Sequence, residues 1–212
     1  METKQFYDNW ATRYDSDSNR TRDLEKMAFQ SCIATMEFSR ILEIGCGTGK
    51  NTEWLKERAS RVVSVDFSAE MLKIAREKIR DPRVEFHQAD ITEAWNFVKE
   101  PFGLVSFSLV LEHIPELDFV FRQAADALTD GGYLYLGELH PYKQFSGSSA
   151  RFATTEGTHS LPTHVHHITD FTRTAIANGL RLVEIGEYFD DGDRSSLPRI
   201  LTLLFCKVQT RS

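Results

Sequence analysis

Between residues 40 and 139, short runs rich in β-branched and aromatic residues alternate with amphipathic stretches. That order favours a parallel sheet, because strands joined through helices must run the same way. Strands are expected at 40–45, 61–66, 84–88, 104–110 and 133–139, with helices at 50–59, 69–80 and 117–128. The run 104–110 (LVSFSLV) is almost unbroken apolar sequence, the pattern of a strand covered on both faces. Asp130-Gly131-Gly132 marks the turn before the fifth strand. Beyond Leu139 the rhythm breaks. A polar stretch reaches about His167, followed by a helix at 169–178 with Gly179 at its carboxyl end and strands at 180–187 and 199–208. A direct join between those two strands makes them an antiparallel edge pair. The expected architecture is α/β: a seven-stranded, mostly parallel sheet, helices on both faces, and an antiparallel C-terminal edge strand.

The stretch Glu43-Ile44-Gly45-Cys46-Gly47-Thr48-Gly49 ends the first strand and opens the first helix. Glycines there permit a sharp turn and let a ligand approach the backbone. Ligands of open α/β sheets bind at the carboxyl ends of the strands, where this loop falls. A dinucleotide fingerprint would read GxGxxG or GxGxxA, but the position for its third small residue is Lys50. The pattern is ExGxGxG instead. Asp66 ends the second strand, 17 residues after Gly49, where a carboxylate can accept hydrogen bonds from both hydroxyls of a ribose.

Composition narrows the partners. With 212 residues and 41% apolar side chains the chain suits one globular domain. A formal net charge of -6 disfavours nucleic acid on average. Cys32, Cys46 and Cys206 form no CxxC pair, which argues against a disulfide framework or a cysteine zinc site. No apolar run has signal-peptide or membrane-spanning length, so no membrane association is expected and the cytoplasm is the expected location.

The ExGxGxG loop resembles motif I of the class I S-adenosylmethionine-dependent methyltransferases, of the small-molecule type. The resemblance continues in order through Asp66-Phe67-Ser68-Ala69-Glu70-Met71-Leu72, Ala89-Asp90-Ile91, the run from Phe102 through Ser106 to Ile114, and Leu128-Thr129-Asp130-Gly131-Gly132. Asp130 stands where the family usually has proline. The resemblance implies a Rossmann-like fold with S-adenosyl-L-methionine as cofactor and S-adenosyl-L-homocysteine as product. It implies that the cofactor meets Tyr14, Glu43, Gly45, Cys46, Gly47, Gly49, Asp66, Phe67, Met71, Asp90, Ile91 and Ser106. Cys46 reads as a small neutral filler rather than a nucleophile. The segment from Phe6 to Asp15 resembles the amino terminus of small-molecule members. There Tyr7, Trp10 and Tyr14 share one helical face, read either as a lid or as a helix packed on the sheet. The expected division is an N-terminal helical lid (1–38), a cofactor core (39–139), an acceptor lid (140–167) and a C-terminal helix with a strand pair (168–212).

Histidines gather late, at His140, His159, His164, His166 and His167. Without HExxH spacing or a cysteine partner, a metal site is not expected. The resemblance implies instead that His166 and His167 line the acceptor pocket. His140, at the carboxyl end of the fifth strand, is the first candidate base, with His113 and His167 behind it. The long polar stretch with Tyr142, Phe145 and Phe152 reads as an acceptor lid. Two rivals remain: an NAD-dependent oxidoreductase and a non-catalytic cofactor-binding module on the same fold. The run Ser106-Phe107-Ser108-Leu109 carries no NPPY-type tetrad, which argues against base methylation.

Overall fold

The computed structural model describes residues 3–148, 151–154, 157–161 and 163–208, with side chains described outside 151–160. Two helices, α1 (Thr3–Tyr14) and α2 (Arg20–Cys32), precede the alternating core. Asn19 caps α2 by accepting the Arg22 N–H. The core runs β1 (Arg40–Ile44), α3 (Thr52–Leu55), β2 (Arg61–Asp66), α4 (Ala69–Lys78), β3 (Val84–Gln88), β4 (Phe102–Ser108), α5 (Leu117–Ala127) and β5 (Leu128–Leu139). It closes with α6 (Pro141–Phe145), a hairpin β6 (Arg151–Thr154) and β7 (Gly157–Ser160), α7 (Ile168–Ala177), β8 (Leu180–Tyr188) and β9 (Ile200–Lys207). Among the described residues no helix is long and apolar enough to cross a membrane.

The main sheet has seven strands in the order β3-β2-β1-β4-β5-β9-β8. Strands β1 to β5 pair in parallel, and β9 pairs antiparallel with both β5 and β8. The antiparallel C-terminal strand therefore sits one place in from the edge, and β8 forms the edge itself. The alternation of side chains across the pleat divides the core in two. Leu42, Val63, Val105 and Leu134 pack with Phe121 and Phe171 from α5 and α7. Ile41, Val62, Leu104 and Tyr135 pack on the other face with Phe29 of α2 and Leu55 of α3. Chain order reverses between β1 and β4, and that switch point opens a crevice at their carboxyl ends.

Four expectations need correction. The helix expected at 50–59 survives only as Thr52–Leu55. Its ends tighten into three-residue turns, with Trp54 N–H on Asn51 O and Arg58 N–H on Leu55 O. The fourth strand stops at Ser108, since Leu109 takes a left-handed φ of 58° and a single turn follows at Leu111–His113. The Asp130-Gly131-Gly132 turn is absorbed into β5, with a register shift against β4 and Gly131 at φ 75°. The polar stretch after Leu139 is not a bare loop. Pro141 occupies the first turn of α6, where it needs no N–H partner, and β6–β7 forms a hairpin.

Candidate cofactor and acceptor site

A cavity of about 240 Å³ lies over the carboxyl ends of β1, β2, β3 and β4. The glycine loop forms one wall. It hangs on β2, with the Gly45 and Cys46 N–H groups both donating to Val65 O at 2.8 and 3.0 Å. Gly45 has φ 72°, and a Cβ there would stand 2.2 Å from Val110 Cγ2. Gly47 has φ 53°, and a Cβ there would meet only Tyr14, at 3.9 Å. Gly45 thus lets the loop close against the turn after β4, while Gly47 leaves space open to the cavity.

Asp66 stands opposite, at the end of β2. Its Oδ2 accepts the Gly47 N–H at 2.8 Å and its Oδ1 the Ser68 N–H at 2.9 Å. It is 7% exposed, and burial raises its pKa to about 6 against the pull of those backbone donors. Phe67, Met71, Asp90 and Ile91 continue the same wall. Asp90 Oδ1 also takes the Thr92 N–H and hydroxyl, closing the turn after β3.

Helix α1 covers the cavity with Tyr7 and Tyr14. The segment packs on α4 and on Leu161 rather than on the sheet. Phe6 and Trp10 pack on Leu161, while Tyr7 and Tyr14 face the cavity. The helix is clipped down at several points. Asp8 accepts the Ser68 hydroxyl at 2.6 Å, and Asp15 accepts Thr48 at 2.6 Å and Lys78 at 2.7 Å. The Arg22 guanidinium donates to Tyr14 O and lies 4.5 Å from the Tyr14 ring centroid.

Tyr7 also bonds across the cavity, its hydroxyl 2.8 Å from His113 Nε2. Burial lowers the His113 pKa to about 4, and the charge of His164 adds to that, so the imidazole is neutral. Its Nδ1 has no described partner. Glu112 lies beside it, Oε1 being 3.8 Å from His113 Nε2, with its own pKa raised to about 7 by burial. The turn carrying His113 is pinned from both sides. Glu138 Oε1 accepts the Val110 and Leu111 N–H groups, the His166 ring bonds Ile114 O at 2.8 Å, and the His164 N–H donates to Glu112 O.

Eight of the expected cofactor residues line the cavity: Tyr14, Gly45, Gly47, Asp66, Phe67, Met71, Asp90 and Ile91. Glu43, Cys46, Gly49 and Ser106 do not. Glu43 lies under the loop and accepts the Thr52 and Ser64 hydroxyls, its pKa raised to about 7 by burial. Cys46 is buried, and burial pushes its thiol far up. Gly49 lets the loop pass α4, since a Cβ would stand 2.7 Å from Ile79 Cδ1. Ser106 lies two residues back inside β4, and Ser108 reaches the cavity in its place.

Of the candidate bases only His113 reaches the cavity. His140 is fully buried elsewhere. Its Nδ1 accepts the Tyr142 N–H and caps α6, while its Nε2 lies 3.2 Å from Glu187. His167 is exposed at the start of α7, its ring tilted against Phe145 with centroids 5.6 Å apart. Tyr142 and Phe145 point outward, and the side chains of Phe152 and His159 lie outside the described residues. Among the described residues no group of three or more His, Cys, Asp or Glu gathers to hold a metal ion. The sequence reading missed Ser108, Leu109, Val110 and Ile114 on the cavity wall. Knowing that β4 ends at Ser108 would have found them.

Residues 42–136 match the family model described as a methyltransferase domain. This stretch, a little under half of the chain, is similar to methyltransferase domains. A ubiquinone biosynthesis O-methyltransferase of Hydrogenovibrio crunogenus is 27% identical over 146 residues, covering 66% of this chain and 60% of that relative. The chain therefore spans less than two thirds of that relative's length. Two solved structures share the fold. A Listeria monocytogenes S-adenosylmethionine-dependent methyltransferase superposes with a TM-score of 0.74 at 19% identity, over 88% of this chain and 99% of that one. The N-methyltransferase NodS of Bradyrhizobium japonicum, in complex with S-adenosyl-L-homocysteine, gives 0.73 at 17% identity, over 99% and 100%.

Proposed function

We propose that this chain transfers the methyl group of S-adenosyl-L-methionine to a small-molecule acceptor in the cavity beneath α1. One observation carries the reading. A buried carboxylate, Asp66, faces a glycine loop whose bare backbone leaves room for a nucleoside, in a chain whose residues 42–136 match a methyltransferase domain. Asp66 keeps lone pairs free beyond its two backbone donors, and these receive the ribose hydroxyls. Phe67, Met71 and Ile91 flank the adenine, and Asp90 faces its polar edge.

The cofactor supplies an electrophilic methyl on a cationic sulfur, with a neutral thioether as leaving group. The protein has to align the acceptor atom and exclude water. In this reading residues 39–139 hold the cofactor, α1 closes over it, and the 140–167 segment works through the turn it clamps. Gln144, for example, donates to Glu112 at 3.2 Å. Neutral His113 takes the proton of a protic acceptor, and the carboxylate of Glu112 steadies the imidazolium that forms. The three thiols are free, which suits a reducing compartment, and we place the protein in the cytoplasm.

Calorimetry tests the cofactor assignment. S-adenosyl-L-homocysteine is expected to bind and NAD(H) is not. Binding of NAD(H) with none of the homocysteine compound would overturn it. A metabolite screen read by homocysteine release then tests turnover, and cofactor binding without turnover on any acceptor would favour a non-catalytic module.

A further inference from the structure

At the edge of the main sheet, β8 pairs with β9 alone among the described strands, so its outer row of N–H and C=O groups faces away from the fold. An open edge is a template for another strand unless charge, a bulge or a covering segment blunts it. Here the strand reads LRLVEIGEY, and residues 181–185 are exposed one after another. Leu182, Val183 and Ile185 are 36%, 44% and 48% exposed. Two more exposed aliphatics flank them: Ile176 near the end of α7, and Val208, whose N–H donates to Gly179 O just before the strand. These are five of the nine large hydrophobic side chains exposed among the described residues, and their gathering at one edge marks a docking surface.

A bulge decides what fits there. Leu182 pairs with Phe205 and Glu184 with Leu204, so Val183 is the extra residue. In a regular strand, residues three apart point to opposite faces. The bulge cancels that: Arg181 stands opposite Cys206 and Glu184 opposite Leu204, two positions on the same face of β9. Leu180, Leu182 and Ile185 stand opposite Lys207, Phe205 and Leu203, on the other face. Neither the Arg181 nor the Glu184 side chain makes an ion pair or hydrogen bond among the described residues. The edge thus carries a cation and an anion on one face and aliphatics on the other, placed symmetrically about the bulge.

We propose that β8 pairs antiparallel with β8 of a second copy of this chain, so that one sheet continues through both. Turned about a two-fold axis at the bulge, Arg181 of each copy stands beside Glu184 of the other, Leu180 beside Ile185, and Leu182 beside Val183. Both ion pairs fall on one face and the aliphatic pairs on the other, as cross-strand pairing requires. A foreign strand would bond the same backbone, but the charge pattern is matched by the strand's own reverse, which favours a copy. The opposite edge of the sheet lacks this surface. On β3, Val84 and Phe86 are partly buried and Arg76 donates to Phe86 O at 3.0 Å, so pairing stops at two copies. No residue of β8 lines the cavity, and pairing leaves both sites open.

Sedimentation velocity over about 1–100 µM tests the proposal, the mass of the parent chain being expected to rise from 24.3 kDa toward twice that value. Ile185→Lys places a charge among the paired aliphatics of an exposed position and should leave a folded monomer, with folding checked by circular dichroism. Arg181→Glu turns both ion pairs into like-charge contacts and should weaken the dimer by about tenfold or more. Adding Glu184→Arg to it exchanges the two charges and should restore the dimer to within about threefold of the parent. A parent chain that stays monomeric throughout would overturn the proposal. So would a dimer that survives Ile185→Lys, which would place the contact on another face. A dimer lost with Ile185→Lys but indifferent to Arg181→Glu would overturn the antiparallel self-pairing and leave the edge to some other arrangement.

Discussion

Replacing Asp66 by alanine separates its two duties. In the free protein the carboxylate takes the Gly47 N–H at 2.8 Å and the Ser68 N–H at 2.9 Å, so it ties the glycine loop to the start of α4. Each buried donor left unpaired costs about 1–3 kcal/mol, so about 2–6 kcal/mol of stability is at stake for the pair. Part of this is returned, because burial holds the carboxyl at a pKa of about 6 and the mutation removes that desolvation cost. In the complex the same carboxylate should accept two ribose hydroxyls. Losing them should cost about 1.5–3 kcal/mol, roughly 10–150-fold in affinity. Urea denaturation reads the first effect and calorimetry with S-adenosyl-L-homocysteine the second. Asp66→Asn, which keeps one acceptor oxygen, should fall between. A variant that loses stability but binds the ligand as the parent does would refute the ribose role and leave Asp66 as a loop clamp.

Gly45→Ala combines a φ of 72° with a Cβ 2.2 Å from Val110 Cγ2, and should destabilise the fold by about 1–3 kcal/mol in denaturant melts. His113→Asn should leave S-adenosyl-L-homocysteine affinity near the parent's while turnover on an identified acceptor falls by about 10²–10⁴, and parental turnover would exclude His113 as the base. His140→Ala should leave turnover intact and cost about 1 kcal/mol through the lost cap of α6, read by thermal melting. Stability of the free protein should fall as pH rises from about 6.5 to 8. Over that range Glu25, Glu43, Glu112 and Glu138, with pKa values raised by burial to about 7, 7, 7 and 8, bind more protons folded than unfolded. The lowered pKa of His113 opposes this only below its unfolded value near 6.5, so a melting temperature that rises from pH 6.5 to 8 would contradict these burial effects.

Much of one wall of the candidate site was legible in the sequence. Strands β2 and β3 lie where periodicity put them, and the glycine loop, Asp66, Met71 and Asp90 meet at one cavity. These are local rules: a strand period, a glycine at positive φ, an acid at a strand end. Each needs only a few neighbouring residues to act, so each leaves a mark in the order of residues.

Which histidine reaches the cavity was decided by the tertiary structure. His140 and His113 both follow a strand, and nothing local distinguishes them. Pro141 starts a helix that takes the His140 ring as its cap and turns it toward Glu187. Leu109 adopts a left-handed φ where sequence alone would continue the strand, and the turn after it brings His113 under Tyr7, 106 residues away. Glu25, Asn51, Ser108 and Tyr135 come from four separate elements and form one buried polar chain only after α2 packs on the sheet. The sequence by itself determined the α/β alternation and the cavity wall formed by the glycine loop and Asp66, because those follow from interactions along the chain. Which histidine meets the cavity, and which carboxylate stands behind it, depends on long-range packing and on where water is excluded, and the order of residues alone does not encode that locally.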